Sequence, residues 1–156
     1  MSAYPDDMSG RFLLFGSLLL VALIGGAIAF GFLTSGEQVG PVASLEQVEE
    51  RDVIHFEDDR VYLVYNDGDP LALSDDSQHL GDRVTFCESS QMFYSKAHGE
   101  IFDIRGVYFG GPATRGLARY PVTQEGDLLY VDTEREIEGP PRGEPKALEP
   151  AGDFCL

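Results

Sequence analysis

The stretch SQHLGDRVTFCESSQMFYSKAHGEIFD, residues 77–103, decides the fold of this chain. It contains two short histidine boxes, SQHLGD at 77–82 and SKAHG at 95–99. Each box sets one histidine among serine, glycine and other small or polar residues. The chain has 3 histidines in all, so the boxes hold most of them and indicate a site built from two loops.

The sequence around the boxes follows the pattern of short β-strands. Residues 60–65 (RVYLVY) are rich in β-branched and aromatic side chains, and NDGD at 66–69 is typical of a tight hairpin turn. Similar short runs predict further strands at 53–56, 71–74, 101–104, 106–109, 120–123 and 128–132, with a turn at 125–127. Strands of this length and spacing predict an all-β sandwich or barrel.

An uncharged apolar run at 12–33 (FLLFGSLLLVALIGGAIAFGFL) precedes this region. Its length predicts one transmembrane helix. A cleaved signal peptide is the alternative, because AIA at 27–29 loosely fits a cleavage site. Arg11 is the only basic residue before the run, so the positive-inside tendency predicts a cytoplasmic N-terminus at 1–11 and a domain on the extracytoplasmic side.

Two polar segments flank the β region. Residues 34–52 are expected to form a linker, in which SLEQ at 44–47 could cap a short helical turn. Residues 134–156 are rich in proline and are expected to form an extended C-terminal tail over the surface. The domain itself is therefore expected at 53–133.

The composition argues against several classes of function. The chain has 27 acidic and 11 basic residues, and its formal net charge is −16. This balance argues against nucleic-acid binding and against polybasic membrane-surface attachment, because both depend on Lys and Arg. With only Cys87 and Cys155, one chain cannot build a Cys₄ zinc site or a Cys₄ cluster. Neither a nucleophile elbow nor a phosphate-binding loop is found, so a hydrolase is not expected.

The two boxes and the residues around them resemble the Rieske iron–sulfur domain. In that family the boxes read C-x-H-x-G-C and C-x-C-H-G, and the spacing between them is matched here without a gap. HGEIFD at 98–103 matches the family's H-G-x-x-F-D, and GPATR at 111–115 resembles the G-P-A-x-R segment that covers the cluster. The likeness covers about residues 53–133. It implies a Rieske-like antiparallel β-sandwich or barrel with a cluster-loop subdomain.

The resemblance also implies a ligand set. In the family, the first Cys and the His of each box bind a [2Fe–2S] cluster. Those positions fall here on Ser77, His79, Ser95 and His98. A seryl hydroxyl is far less acidic than a thiol and offers a hard oxygen where iron–sulfur clusters favour soft sulfur. We therefore expect a Rieske-type domain without an intact cluster site, and no cofactor.

Two more family features can be placed on the chain. The family's loop-stapling cysteines fall on Asp82 and Ala97, so the resemblance implies that this staple is missing. The segment that covers the cluster falls on four residues, Gly110, Gly111, Pro112 and Ala113.

The histidines allow two interpretations. His79 and His98 could bind a metal such as zinc, with Asp82 or Asp76 adding an oxygen ligand. The alternative is that the imidazoles hydrogen-bond across the loops and hold them together, and we prefer it because no third strong ligand has clear spacing. His55 lies in a β segment and is expected at the surface.

The expected function follows from the resemblance. Rieske proteins with one anchor commonly serve quinol–cytochrome c oxidoreductases. We therefore expect an accessory or structural subunit of a cytochrome bc-type membrane complex, without an enzymatic activity of its own. The alternatives are an active [2Fe–2S] electron-transfer protein with an unorthodox site, and a histidine-based metal-binding or sensor module.

The two cysteines are expected to form a disulfide. An outward-facing domain sits in a compartment where disulfides persist, and Cys155 ends a tail long enough to reach Cys87. The bridge is expected to pin the tail at the cluster end of the domain and to replace part of the stapling missing at Asp82 and Ala97. The alternative is a buried Cys87 and a free Cys155.

Overall fold

The structure is a computed structural model that describes residues 40–143 and 146–155. The predicted cytoplasmic segment at 1–11 and the predicted transmembrane helix at 12–33 lie outside the described residues. Within the described ranges, no helix combines the length and the apolar character needed to cross a membrane.

The described residues form eleven strands and one helix. In chain order these are β1 (Val42–Ser44), α1 (Leu45–Arg51), β2 (Val53–Phe56), β3 (Val61–Asn66), β4 (Asp69–Ser74), β5 (Val84–Cys87), β6 (Met92–Ser95), β7 (Ile101–Asp103), β8 (Tyr108–Gly110), β9 (Arg119–Tyr120), β10 (Val122–Glu125) and β11 (Leu128–Val131). Their pairings are antiparallel throughout. The predicted all-β antiparallel fold is confirmed for this part of the chain.

The strands form three sheets. One has three strands in the order β1-β11-β10, and a second has four in the order β2-β3-β4-β9. The third has the order β5-β6-β7-β8, and we call it the loop sheet. Both histidine boxes lie at its strand ends, because residues 77–82 lead into β5 and residues 95–99 join β6 to β7.

Strand β3 lies between two apolar clusters. Tyr62 and Val64 face the first cluster, which reaches the loop sheet through Phe93 and Phe102. Val61 and Leu63 face the second, which includes Val48 of α1 and Leu129 of β11. Successive side chains of a strand point to opposite faces of its sheet. Residues 61–64 are therefore all buried, because both faces of β3 are covered.

The predicted turn between β3 and β4 is confirmed. Asn66 pairs with Asp69, which leaves Asp67 and Gly68 as the two turn residues. Their φ angles are 55° and 90°. A two-residue turn in which both φ values are positive matches the twist of the flanking strands, and the Asp-Gly sequence favours it.

The prediction of a linker is wrong for residues 42–51. Strand β1 pairs with β11, and α1 buries Val48 completely. The predicted helix cap is confirmed, because the Ser44 hydroxyl accepts the Gln47 N–H and the Gln47 side chain accepts the Ser44 N–H. This segment belongs to the domain because Ala43 and Val48 supply apolar surface to the second cluster.

Two differences from the predicted strands have local causes. The β5–β6 hairpin was not predicted, and β6 buries all of its residues, so it shows no alternation of polar and apolar positions. The strand predicted at 120–123 is divided at Pro121, with β9 before it and β10 after it. Proline has no N–H to donate to a strand ladder.

The described part of the tail lies against the domain without forming a helix or strand. Arg119 and Ile137 exchange two backbone hydrogen bonds of 2.8 Å. Further along, the Leu148 N–H donates to the Asp103 carboxylate at 2.9 Å, and the Ala151 N–H donates to the Ser90 carbonyl at 2.9 Å. The tail is therefore tied to the domain at several points.

Candidate functional site

The two histidine boxes lie side by side at one end of the loop sheet. We call residues 77–82 the first loop and residues 95–99 the second loop. The rings of His79 and His98 meet edge to face, with centroids 5.3 Å apart and planes at 85°. The structure thus brings the two predicted site histidines together, one from each loop.

Backbone hydrogen bonds close each loop on itself. The Ser77 N–H donates to the Asp82 carbonyl at 2.8 Å in the first loop. In the second, the Ser95 N–H donates to the carbonyl of Glu100, the residue that follows the loop, at 2.9 Å. The two serines therefore occupy equivalent places, each at the start of its turn and each nearly fully buried.

The Ser77 hydroxyl joins the first loop to the buried carboxylate of Glu100, the residue that follows the second loop. It donates to Oε1 of Glu100 at 2.5 Å and accepts the backbone N–H of His79 at 3.1 Å. Ser77 is 3% exposed and Glu100 is 0% exposed. A buried carboxylate needs such partners, because its desolvation is costly without them. The other oxygen, Oε2, is buried without a hydrogen-bond partner among the described residues.

The Ser95 hydroxyl makes the reciprocal link. It donates to Oδ2 of Asp82 in the first loop and accepts the backbone N–H of His98 at 3.2 Å. Nδ1 of His98 lies 3.7 Å from the same Asp82 oxygen. Asp82 therefore connects the first loop to a hydroxyl and an imidazole of the second.

The surroundings of Asp82 favour its charged form. The hydrogen bond from Ser95 lowers the pKa of the Asp82 carboxyl, and the positive potential of His98 and the backbone amides of Ala97 and Arg83 lower it further, against an opposing effect of burial. Hydrogen bonds to a carboxylate stabilise the ionised state. Asp82 and Ala97, the two predicted staple positions, thus lie in one polar contact between the loops.

The predicted cover segment packs its backbone on the second loop. Gly111 has φ +94°, and a Cβ built there lies 2.5 Å from the Gly99 carbonyl oxygen and 2.7 Å from the Glu100 Cα. Only glycine allows that approach and that φ together. Gly110 pairs with Ile101 in the loop sheet, and Ala113 is fully buried in the first apolar cluster, while Pro112 is exposed.

The bridge between Cys87 and Cys155 meets the geometric condition for a disulfide. Their Cα atoms are 5.7 Å apart and the structure joins their sulfurs. The predicted position at the cluster end is wrong, because Cys87 pairs with Met92 at the opposite end of β5 from Val84, which pairs with Ser95 beside the loops. The bridge therefore ties the tail to the far end of the loop sheet.

Two predictions about single side chains need correction. His55 is not an ordinary surface residue, because its Nε2 lies 3.0 Å from Oδ2 of the buried Asp75 and its ring stacks on Tyr62. Asp76, considered as an oxygen ligand, is paired with Arg60. The carboxylates that the structure places beside His98 are those of Asp82 and Glu100.

Glu100 is the site residue that sequence reasoning missed. It occupies a variable position in the H-G-x-x-F-D pattern, so the resemblance assigned it no role. A glutamate directly before the apolar residues of a strand was the available signal, because an acidic side chain there must be exposed or find a partner. In the structure it is buried between the loops and bonded to Ser77.

A curated protein is significantly similar in sequence to this chain. The iron–sulfur subunit of the cytochrome b6-f complex of Chlorobaculum thiosulfatiphilum is 27% identical over 79 residues, which are 51% of this chain and 44% of the relative. The match thus spans less than half of the relative's length. No family model matches the chain. The predicted resemblance to Rieske proteins is confirmed.

Three solved structures are also similar to this chain. The cyanobacterial plasma membrane Rieske protein PetC3 from Synechocystis PCC 6803 has a TM-score of 0.48, with 23% identity over 56% of this chain and 93% of that one. The ferredoxin of carbazole 1,9a-dioxygenase from Nocardioides aromaticivorans IC177 has a TM-score of 0.44, with 23% identity over 59% of this chain and 94% of that one. A chain of a hyperthermophilic respiratory Complex III has a TM-score of 0.47, with 19% identity over 75% of this chain and 97% of that one.

Proposed function

We propose that this Rieske-type chain is a cluster-free accessory or structural subunit of a cytochrome bc-type membrane complex. The observation that carries the proposal is the state of the two serine hydroxyls at the ligand positions. Ser77 is bonded to Glu100 and Ser95 to Asp82. The ligand positions are thus occupied by hydroxyls that bond to neighbouring carboxylates.

This donor set does not fit a [2Fe–2S] cluster. A Rieske centre takes two thiolates on one iron and two imidazoles on the other. His79 and His98 could serve one iron, but the other is left with hard oxygen donors. The thiols of Cys87 and Cys155 are joined to each other at the far end of the loop sheet. We therefore derive no electron-transfer step for this chain.

The proposed partner rests on the sequence relationship. The curated relative is named as a subunit of a cytochrome b6-f complex, and we propose that this chain joins a complex of that general kind. It contributes contacts through its folded domain, while an electron carrier of the complex is supplied by another subunit.

The content of iron and acid-labile sulfide tests the absence of a cluster. The full-length chain should be purified under conditions that load an ordinary Rieske protein produced in parallel. We expect no stoichiometric iron or sulfide in this chain, with both present in the control. A reduced-state electron paramagnetic resonance signal of the Rieske type from the wild-type chain contradicts the proposal and supports an active electron-transfer protein.

We also propose that residues 12–33 anchor the chain in the membrane with the domain on the extracytoplasmic side. The support is the uncharged run in the sequence and Arg11 before it. The full chain should stay with membranes after carbonate extraction and be accessible to protease from the extracytoplasmic side. A released protein that begins after residue 29 contradicts the anchor and identifies the run as a signal peptide.

A further inference from the structure

We propose that Asp82, His98 and Glu100 form a binding site for a single divalent transition-metal ion, with zinc as the best match. Each of the three residues offers one ligand atom, and these atoms lie within 4.8 Å of one another. The site takes Glu100 in place of His79, which the sequence suggested as a ligand. It rests on the proposed absence of a cluster, because a cluster bound by these loops would need His98.

The spacing of the ligand atoms is close to what one ion requires. Zinc binds carboxylate oxygen and imidazole nitrogen at about 2.0–2.2 Å, so ligands in a tetrahedron lie about 3.4 Å apart. Nδ1 of His98 and Oδ2 of Asp82 are already 3.7 Å apart. The other pairs of ligand atoms lie within 4.8 Å and need to approach by at most about 1.4 Å to reach that spacing. Three protein ligands leave a fourth position for water.

A second, independent observation points to the same place. Glu100 is fully buried, and its Oε2 has no hydrogen-bond partner among the described residues. Leaving a buried carboxylate oxygen without a partner is costly. A cation held between Glu100, Asp82 and His98 supplies that partner and balances the negative charge of the two carboxylates.

The types of ligand narrow the choice of ion. One imidazole and two carboxylates suit zinc and neighbouring transition metals better than magnesium or calcium, which prefer sites made wholly of oxygen. The absence of a thiolate in this set argues against ions that need soft ligands. His98 is exposed while Glu100 is buried, so an ion can reach the site from solvent and be held from the inside.

The test is zinc binding by the full-length chain after removal of metal with a chelator. Zinc alone is added, with magnesium in excess as the comparison, and binding is followed by equilibrium dialysis. We expect about one zinc per chain in the wild type and no displacement by magnesium. His98→Gln and Glu100→Gln should each weaken zinc binding by about tenfold or more.

His79→Gln is the matched control, because it removes the other loop histidine and leaves the three proposed ligands in place. It should bind zinc within about threefold of the wild type, a much smaller change than loss of a ligand. Equal losses in His79→Gln and His98→Gln overturn the assignment. A wild-type chain that binds no zinc overturns it as well.

A second measurement keeps the site testable if Glu100→Gln does not fold. Nitrogen chemical shifts of the wild-type histidine side chains should change on zinc addition at His98, with a smaller change at His79 and none at His55. A change largest at His55 contradicts the proposal. If the purified chain instead contains iron and sulfide, the proposed function fails; if it lacks both and binds no zinc, only this site fails.

Discussion

The two ends of the loop sheet are held by different kinds of bond. At the loop end, the contacts between the first and second loops are non-covalent and depend on carboxylates, with Ser77 bonded to Glu100 and Ser95 to Asp82. At the far end, a disulfide ties Cys87 to the tail. We therefore expect the stability of one end to depend on pH and, as we propose, on bound metal, and that of the other to depend on reducing agents.

The far end is also where the last part of the tail makes further contacts. The buried Asp103 accepts the Leu148 N–H there, and the Ser89 hydroxyl donates to the Asp153 carbonyl at 2.6 Å. The covalent bond thus orders a segment without secondary structure of its own. The loops need no such bond, because each adjoins a strand of the loop sheet and is closed by a backbone hydrogen bond of its own.

The largest effect is expected from opening the disulfide. Cys155→Ser removes a bridge that closes a separation of 68 residues, and the chain-entropy model gives a loss of about 4 kcal/mol in the free energy of unfolding. Urea unfolding with and without reductant measures it. Reductant should lower the wild-type midpoint to that of Cys155→Ser and leave the variant unchanged. Equal midpoints for the oxidised wild type and the variant contradict a stabilising bridge.

A smaller effect is expected at the loop end from Ser77→Ala. This change removes the partner of Oε1 of the buried Glu100, and the unpaired carboxylate should cost about 2 kcal/mol in unfolding free energy. Ser90→Ala is the matched control, because the Ser90 hydroxyl is equally buried but has no hydrogen-bond partner in the described structure. Urea unfolding of both variants measures the two losses in unfolding free energy. Similar losses show that the contact with Glu100 is not the cause of the destabilisation in Ser77→Ala.

The sequence predicted the architecture well because the strands and turns carry local signals. Alternating and β-branched residues predicted β2, β3 and β4, and the Asp67-Gly68 pair predicted the turn between β3 and β4. The histidine positions followed from the family resemblance, and the structure brings His79 and His98 into contact.

The parts that the sequence missed depend on contacts between distant residues. Nothing local in Glu100 shows that it is buried against Ser77, 23 residues earlier. The end of the domain at which the disulfide lies depends on the direction of β5, a strand that was not predicted. Likewise, β1 looks like a linker until β11 is present to pair with it.

The Asp82→Asn variant tests the role of charge at the loop end. The pKa of Asp82 is lowered, mainly by the hydrogen bond from Ser95. The ionised carboxylate therefore adds to the free energy of unfolding above the unfolded-state pKa of about 3.9, and this contribution is lost as the pH falls through the folded-state pKa. At pH 7 the variant should lose about 1.5 kcal/mol of unfolding free energy, the value typical of a hydrogen bond to a charged group.

Denaturation curves measured between pH 7 and about pH 3 check this prediction. The difference between wild type and Asp82→Asn should shrink toward the acid limit. Asp58→Asn, at an exposed position, should show little difference at any pH. A difference for Asp82→Asn that stays constant across the range shows that shape, and not charge, matters at this site.

The smallest effect is expected at Tyr62, which links β3 of the second sheet to β5 of the loop sheet. Its hydroxyl donates to the Val84 carbonyl at 3.1 Å, and burial raises its pKa to about 12. The raised pKa means that folding favours the neutral phenol. The contribution of Tyr62 to the free energy of unfolding is therefore complete below pH 10 and is lost as the pH rises toward 12.

Tyr62→Phe should lower the free energy of unfolding by about 1 kcal/mol at pH 7. Urea unfolding at pH 8 and at about pH 11 should show that the variant loses less stability with alkali than the wild type. Equal losses in the two proteins mean that Tyr62 does not titrate in step with unfolding, and that the link between the sheets rests on its ring alone.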